Sequence, residues 1–416
     1  MILTMNGNRF LYKCTDCGRE YNCGETMYLC PSCSGPNTPS EPPAGVLSVL
    51  YDYAEVQNKN PGFDSLKKSG FIDLLPIDSV DSLPPLHVGN TPLYILNSVG
   101  GEKMDFRLHL KDDSQNPTWS FKDRASALVS AYAKENGLKT IVTASTGNAG
   151  SSLAGICASQ GQRAVVMVPE KAPLAKLTQI IMYGATLVPV KGTYDEAFDL
   201  SISASSEFGW YNRNTAHNPL TIEGKKTVSF ELYEQLNYSV PDRIFVPVGD
   251  GVIISGIYKG FEDLMLLNII DRMPVIVAVQ SEKSDNLVRN LPLKKFSVIP
   301  SSTMADSISV DVPRNFRMTR RYMQKYSGEA VTVTDEEILG ASSLLSRSTG
   351  LFAEPAASAA FAGFLSYRLT NRIRENSDNV VMLTGSGLKD LKAVSGIIRM
   401  PQSIYPSVDE LRSLFK

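Results

Sequence analysis

The sequence predicts an α/β protein built as two open-sheet lobes behind a small N-terminal ribbon. Three observations carry that expectation. From about residue 120 onward, short β-rich runs alternate with helical segments, the arrangement that yields parallel strands joined by right-handed crossovers. Ahead of them, Cys14, Cys17, Cys30 and Cys33 form two CxxC pairs separated by 12 residues. Finally, a chain of 416 residues exceeds what one core can serve, so two to three domains are expected.

The elements follow in order. The start, MILTMNGNRFLYKC, lacks the charged-then-apolar build of a secretory signal. Two CxxC hairpins can each offer two thiolates at tetrahedral spacing, which suits a structural Zn2+ on Cys14, Cys17, Cys30 and Cys33. Tyr12, Tyr21 and Tyr28 supply thin apolar padding, and Gly18 and Gly24 supply turns. Four thiols without a metal are the other reading of the same pattern. Residues 34–44 are rich in Pro and Ser and read as a linker, so a module over 1–40 is expected, followed by a larger region over 41–416. Between 45 and 90 a short helix-like run mixes with Pro- and Gly-rich turns. A hairpin follows, with strands at 93–97 and 106–111 around the turn SVGGEK.

Residues 120–135 are helical, with Ala, Leu and Val at spacings of three and four. Strands are expected at 140–143, 163–168, 186–190, 243–248, 275–280 and 380–383, with helices at 150–160, 172–182, 194–206 and from about 252. The smaller lobe is placed at roughly 130–235 and the larger in the remainder.

Composition excludes some functions. A net charge of −2 leaves no basic surplus for nucleic acid. The longest apolar stretches, such as 264–270, are far shorter than a membrane span. A cytoplasmic protein acting on a small molecule is expected.

Four motifs could carry chemistry. In NPTWSFKDR, residues 116–124, Lys122 sits in the first turn of a helix, where the positive dipole end discourages an ammonium and favours a reactive amine. Taken singly, a Lys beside Asp123 and Arg124 reads as a solvated helix start. In ASTGNAG, residues 144–150, small residues let backbone amides approach an anion; Ser145, Thr146 and Gly147 suit a substrate carboxylate and Asn148 adds an amide, although a capping turn fits the same letters. In PVGDGVIISG, residues 247–256, Gly249 and Gly251 permit the backbone of a phosphate cradle. That loop lacks the Lys-Ser/Thr ending of a nucleotide P-loop, and Asp250 fits beside a phosphate only with its side chain turned away. In TGSGLKD, Thr384 follows a strand end, where open α/β sheets bind ligands. The set offers an imine-forming amine, a carboxylate cradle, a phosphate cradle and a ring-nitrogen partner. Pyridoxal 5'-phosphate (PLP) and an amino-acid substrate need all four.

On SFKDR, STGN, PVGDG and TGSGLKD, with Asn218-Pro219, Glu223-Gly224-Lys225-Lys226-Thr227 and Glu354-Pro355-Ala356, the chain resembles the threonine synthase family of fold-type II (tryptophan synthase β-like) PLP enzymes. A zinc-ribbon-like N-terminus occurs in many members. The resemblance implies that Lys122 carries the cofactor and later moves protons, that Asn148 hydrogen-bonds the ring hydroxyl, that Gly249, Asp250, Gly251, Val252 and Ile253 hold the phosphate, and that Thr384 meets the pyridine nitrogen. A neutral hydroxyl at that nitrogen favours elimination and replacement over transamination. The activity implied is conversion of O-phospho-L-homoserine and water to L-threonine and phosphate, and relatives are often homodimers.

The chain departs from the family pattern at three places. An Arg that grips substrate phosphate is usual between the NP and EG elements, where this chain has Leu220-Thr221-Ile222. Ser386 replaces a His, and Asp250 stands where Asn is frequent. Arg213 and Lys191 are the cations considered as substitutes. The missing Arg keeps a second activity open: ammonia loss from serine, threonine or diaminopropionate, or β-replacement. A binding protein without catalysis is the third reading, and the intact Lys122 opposes it.

Overall fold

The computed structural model describes residues 9–24 and 28–415. Strand Phe10–Cys14 pairs antiparallel with Glu20–Asn22 on one side and Leu47–Tyr51 on the other, with Tyr12 opposite both Tyr21 and Val49. The N-terminal sheet therefore extends beyond the boundary expected near residue 40. The reason is long-range pairing: Tyr12, Leu47, Val49 and Tyr51 are buried together and continue into the main core.

Two further sheets match the two open-sheet lobes expected. The smaller has four parallel strands, in spatial order Thr186–Val190, Arg163–Pro169, Thr140–Ala144, Tyr211–Asn212. Val165, Val166 and Val168 are buried on both faces, as a central parallel strand under helices requires. The larger sheet has six strands in the order Glu329–Val333, Val275–Ser281, Arg243–Pro247, Asp378–Leu383, Glu102–Asp112, Leu93–Val99. All its pairings are parallel except the last, a hairpin closed by Gly100 and Gly101 at φ +61° and +85°. Positive φ at both turn residues matches the twist of the flanking strands, so the second strand starts at Glu102, earlier than the alternation alone suggests.

Strand order places the functional loops. In the smaller sheet the chain runs outward from Thr140–Ala144 and then returns to its other side at Tyr211–Asn212. In the larger it runs outward from Arg243–Pro247 and returns at Asp378–Leu383. Each reversal opens a crevice at the strands' C-terminal ends, where ligands bind in open α/β sheets. The loops after residues 112, 144, 212, 247 and 383 all leave at such ends.

Three helices pack behind the crevice at glycine contacts: Lys122–Glu135, Leu220–Gln235 and Val252–Leu266. A Cβ at Gly224 would lie 2.2 Å from the Arg124 carbonyl oxygen, and one at Gly260 would lie 2.4 Å from that of Lys226. Backbone meets backbone there. Among the described residues no helix is long and apolar enough to cross a membrane.

Candidate active site

A cleft of about 440 Å³ opens between the sheets. Lys122, Ser145, Thr146, Gly147, Asn148, Gly249, Asp250, Gly251, Val252, Ile253 and Thr384, all singled out in the sequence, line it together.

Lys122 is the first residue of its helix, while the two residues that follow it face the interior. Asp123 accepts from the Thr118 amide at 2.6 Å and from the Thr118 hydroxyl. Arg124 is buried between Asp113 and Glu231, at 2.6 Å and 2.5 Å. Lys-Asp-Arg is therefore an anchor with one free arm. Trp119, at φ +66°, turns the chain into the helix, and its carbonyl accepts from the Ser386 amide at 3.1 Å. The Lys122 amine has no hydrogen-bond or ion-pair partner among the described residues. Burial, reinforced by the charge of Arg213, lowers its pKa against the opposing pull of Glu354 and Asp250, which favours the neutral, nucleophilic amine.

The two glycine loops end in uncapped helices. Gly147 and Gly251 precede helices Asn148–Gln160 and Val252–Leu266, and among the described residues no side chain caps either first turn. Their free amides and dipole ends suit anions. Gly251 has φ +85°, and a Cβ there would meet the Thr319 hydroxyl at 2.3 Å. A Cβ at Gly249 would approach the Ile308 Cα to 3.0 Å. The Asp250 carboxylate accepts from the Arg314 amide at 3.1 Å.

Thr384 is fixed through its carbonyl, which accepts the Phe121 amide at 2.9 Å and ties the C-terminal turn to the Lys122 loop. Gly385 then accepts the Glu354 amide at 3.0 Å, and a Cβ at Gly385 would lie 2.6 Å from the Glu354 carboxylate. Lys389 locks the same turn by donating to the Thr118 carbonyl, Ser151 and Gln179.

Glu354 is a site residue to which the sequence reading attached no role. It is buried, lines the cleft, and accepts from the Asn148 amide at 3.0 Å on each oxygen. Burial raises its pKa against the Asn148 hydrogen bonds and Lys122. Tyr194, Thr215, Lys225, Arg314 and the segment 306–312 also line the cleft. Lys191, considered for substrate phosphate, is exposed at the end of its strand and does not line the cleft. Arg213 lies behind the cleft wall, donating to Ser126 at 3.2 Å and to Thr215 at 3.0 Å.

At the N-terminus, the sulfurs of Cys14, Cys17, Cys30 and Cys33 all lie within 4.8 Å of one another. The Cys14–Cys33 and Cys17–Cys30 separations are 3.9 Å and 3.8 Å. A tetrahedron with metal–sulfur bonds of about 2.3 Å has edges of about 3.8 Å. The donor set fits zinc.

A family model described as pyridoxal-phosphate dependent enzyme matches residues 85–385. The chain therefore belongs to the pyridoxal-phosphate-dependent enzyme family and is a PLP-dependent lyase of α/β, fold-type II architecture. Within that family its relatives include threonine synthases. It is 34% identical to the threonine synthase of Methanocaldococcus jannaschii, over 98% of this chain and 99% of that one. It is 33% identical to the threonine synthase of Methanosarcina acetivorans, over 96% and 97%. Among solved structures, the processed form of threonine deaminase isoform 2 from Solanum lycopersicum superposes with a TM-score of 0.66. That match is 20% identical and covers 81% of this chain and 94% of that one, a likeness of fold. The cleft fits PLP: an unpartnered amine at Lys122, glycine turns a Cβ would fill, and uncapped helix amides for a phosphate.

Proposed function

We propose that the chain is a threonine synthase, converting O-phospho-L-homoserine and water to L-threonine and inorganic phosphate. The observation that carries this is the convergence of all four motif loops on one cleft in a chain 34% identical to a threonine synthase from end to end. PLP bound there would supply an electron sink for carbanions next to the amino group, the capacity that γ-elimination followed by water addition at Cβ requires.

The chain's own residues take the following roles. Lys122 Nζ would hold the cofactor and would accept the proton from substrate Cα; its lowered pKa keeps it competent as a base. The amides from Gly249 to Ile253 and the dipole of helix Val252–Leu266 hold the cofactor phosphate. Ser145, Thr146 and Gly147 orient the substrate carboxylate. Asn148, steadied by Glu354, would hold the cofactor's ring hydroxyl, and Thr384 would hold its pyridine nitrogen. Cys14, Cys17, Cys30 and Cys33 hold a structural zinc ion. A cytoplasmic homodimer completes the reading.

The absence of a cation at Thr221 favours one competing activity, ammonia release from serine, threonine or diaminopropionate. A substrate panel on purified holoenzyme decides: threonine and phosphate appear in equal amounts from O-phospho-L-homoserine. Keto acid and ammonia from serine, threonine or diaminopropionate, without threonine from phosphohomoserine, would replace this reading with the second.

A further inference from the structure

Most deeply buried cations in this chain are matched by acids. Lys111 pairs with Glu231, Arg124 with Asp113 and Glu231, Lys226 with Glu223 and Asp263, and Lys259 with Asp263. Arg213 and Lys225 break the pattern. Both are fully buried, and among the described residues neither Arg213 Nη2 nor Lys225 Nζ has a hydrogen-bond partner. A buried cation without an anion is strongly disfavoured, and two of them near one reactive amine imply a charge that arrives with a ligand.

Their placement says where that ligand lies. Arg213 follows strand Tyr211–Asn212 at the switch point of the smaller sheet, and it bonds to Ser126, one helical turn beyond Lys122. Its other bond is to Thr215, which lines the cleft. Lys225 lines the cleft from helix Leu220–Gln235. Its Cβ would touch a Cβ placed at Gly256, at 2.7 Å, in the second turn of the helix that starts at the glycine loop. It also lies one turn beyond Thr221, on the same helix face. The groups acting electrostatically on Lys225 are Arg213, Lys122 and Asp250, and the Asp250 carboxylate is engaged by the Arg314 amide. Burial and these like charges hold Lys225 well below its ordinary pKa, and burial pulls Arg213 down to about 10.

We propose that Lys225 Nζ, backed by the Arg213 guanidinium behind Thr215, forms an anion subsite beside Lys122, separate from the glycine-loop cradle, that takes the phosphate group of a phosphorylated amino-acid substrate. The inference rests on the proposed threonine synthase activity and supplies the cations its substrate needs.

The test uses the holoenzyme with inorganic phosphate and, separately, L-threonine as probes, each titrated by calorimetry. Phosphate binds the wild type; Lys225→Met weakens it on the order of 10- to 100-fold, the range for one charge-assisted contact, and Arg213→Gln, which removes a charge behind the wall, weakens it by less. Both variants keep the cofactor, bind threonine as the wild type does, and raise KM for O-phospho-L-homoserine more than they lower kcat. Lys225→Arg retains phosphate binding. Phosphate-free Lys225→Met melts no lower than wild type, because the substitution removes an unpaired buried charge. Unchanged phosphate affinity in both variants overturns the subsite. So does cofactor loss with phosphate binding intact, which would assign the cations to the cofactor's phosphate. If wild type makes no threonine from phosphohomoserine, the proposed activity fails while the phosphate titrations still decide the subsite.

Discussion

Gly224→Ala separates the packing account from helix propensity, because the two predict opposite signs. Gly224 lies inside helix Leu220–Gln235 without a positive φ, so alanine is conformationally allowed there. Propensity alone would make the change stabilising by about 1 kcal/mol. The structure predicts the reverse. The new Cβ would stand 2.2 Å from the Arg124 carbonyl oxygen and 2.8 Å from the Ala125 Cα, against an ordinary contact of 3.4 Å or more. The two helices must part by about 1 Å, and Arg124 resists through Asp113 and Glu231. Overpacking of this kind costs about 1–3 kcal/mol. Because Lys122 lies two residues before Arg124, the shift also misplaces the reactive amine, and a displacement near 1 Å costs about 100-fold in rate. Gly340→Ala is the control: that glycine lies in helix Asp335–Thr349 with nothing within 4 Å of a Cβ, so it gains up to about 1 kcal/mol and keeps full activity. Thermal melting and kcat on both variants are the assays. Gly224→Ala at or above wild-type stability with wild-type turnover would refute the reasoning.

Two further outcomes are expected. Removal of metal by a chelator, or Cys14→Ser, lowers bound zinc from about one per chain and lowers Tm, because Cys14 belongs to the strand that pairs with Leu47–Tyr51; a wild type purified without metal contradicts the zinc site. His217 stacks on Tyr28 at 4.6 Å, and burial, aided by the charge of Arg314, pulls its pKa down to about 4. The unfolded chain binds that proton first, at about 6.5. Stability is therefore intact above that pH and falls by about 2–3 kcal/mol as the pH drops toward 4; urea midpoints at pH 7.5 and 5 should differ more in wild type than in His217→Gln.

Much of this site was legible because glycine and hydroxyl punctuation at strand ends is local. Ser145–Asn148, Gly249–Ile253 and Thr384 each follow an apolar run directly, and parallel order alone brings such ends together. What could not be read was long-range. Strand Leu47–Tyr51 joins the N-terminal sheet through pairing with Phe10–Cys14, which no linker composition reveals. Strand Glu329–Val333 is an edge strand, half-buried over most of its length, and helix Phe316–Lys325 carries four cations, so both lack a clear apolar pattern. Arg213 was one of two cations considered for the substrate phosphate, whereas Lys225 was only a letter in a motif. Charge in sequence reads as surface, and only the fold shows that both are enclosed, with Arg213 Nη2 and Lys225 Nζ unsatisfied among the described residues. Glu354 reaches Asn148 from 206 residues away, and the Gly385 contact that fixes it also joins separate elements.

The most direct measurement is borohydride reduction of the holoenzyme followed by peptide mapping. The pyridoxyl group should appear on the peptide containing Lys122 and nowhere else, and Lys122→Ala should remain folded while losing both the label and the visible absorbance of bound cofactor. Labelling at Lys225 or at another lysine, with Lys122 unmodified, would contradict the account at its base.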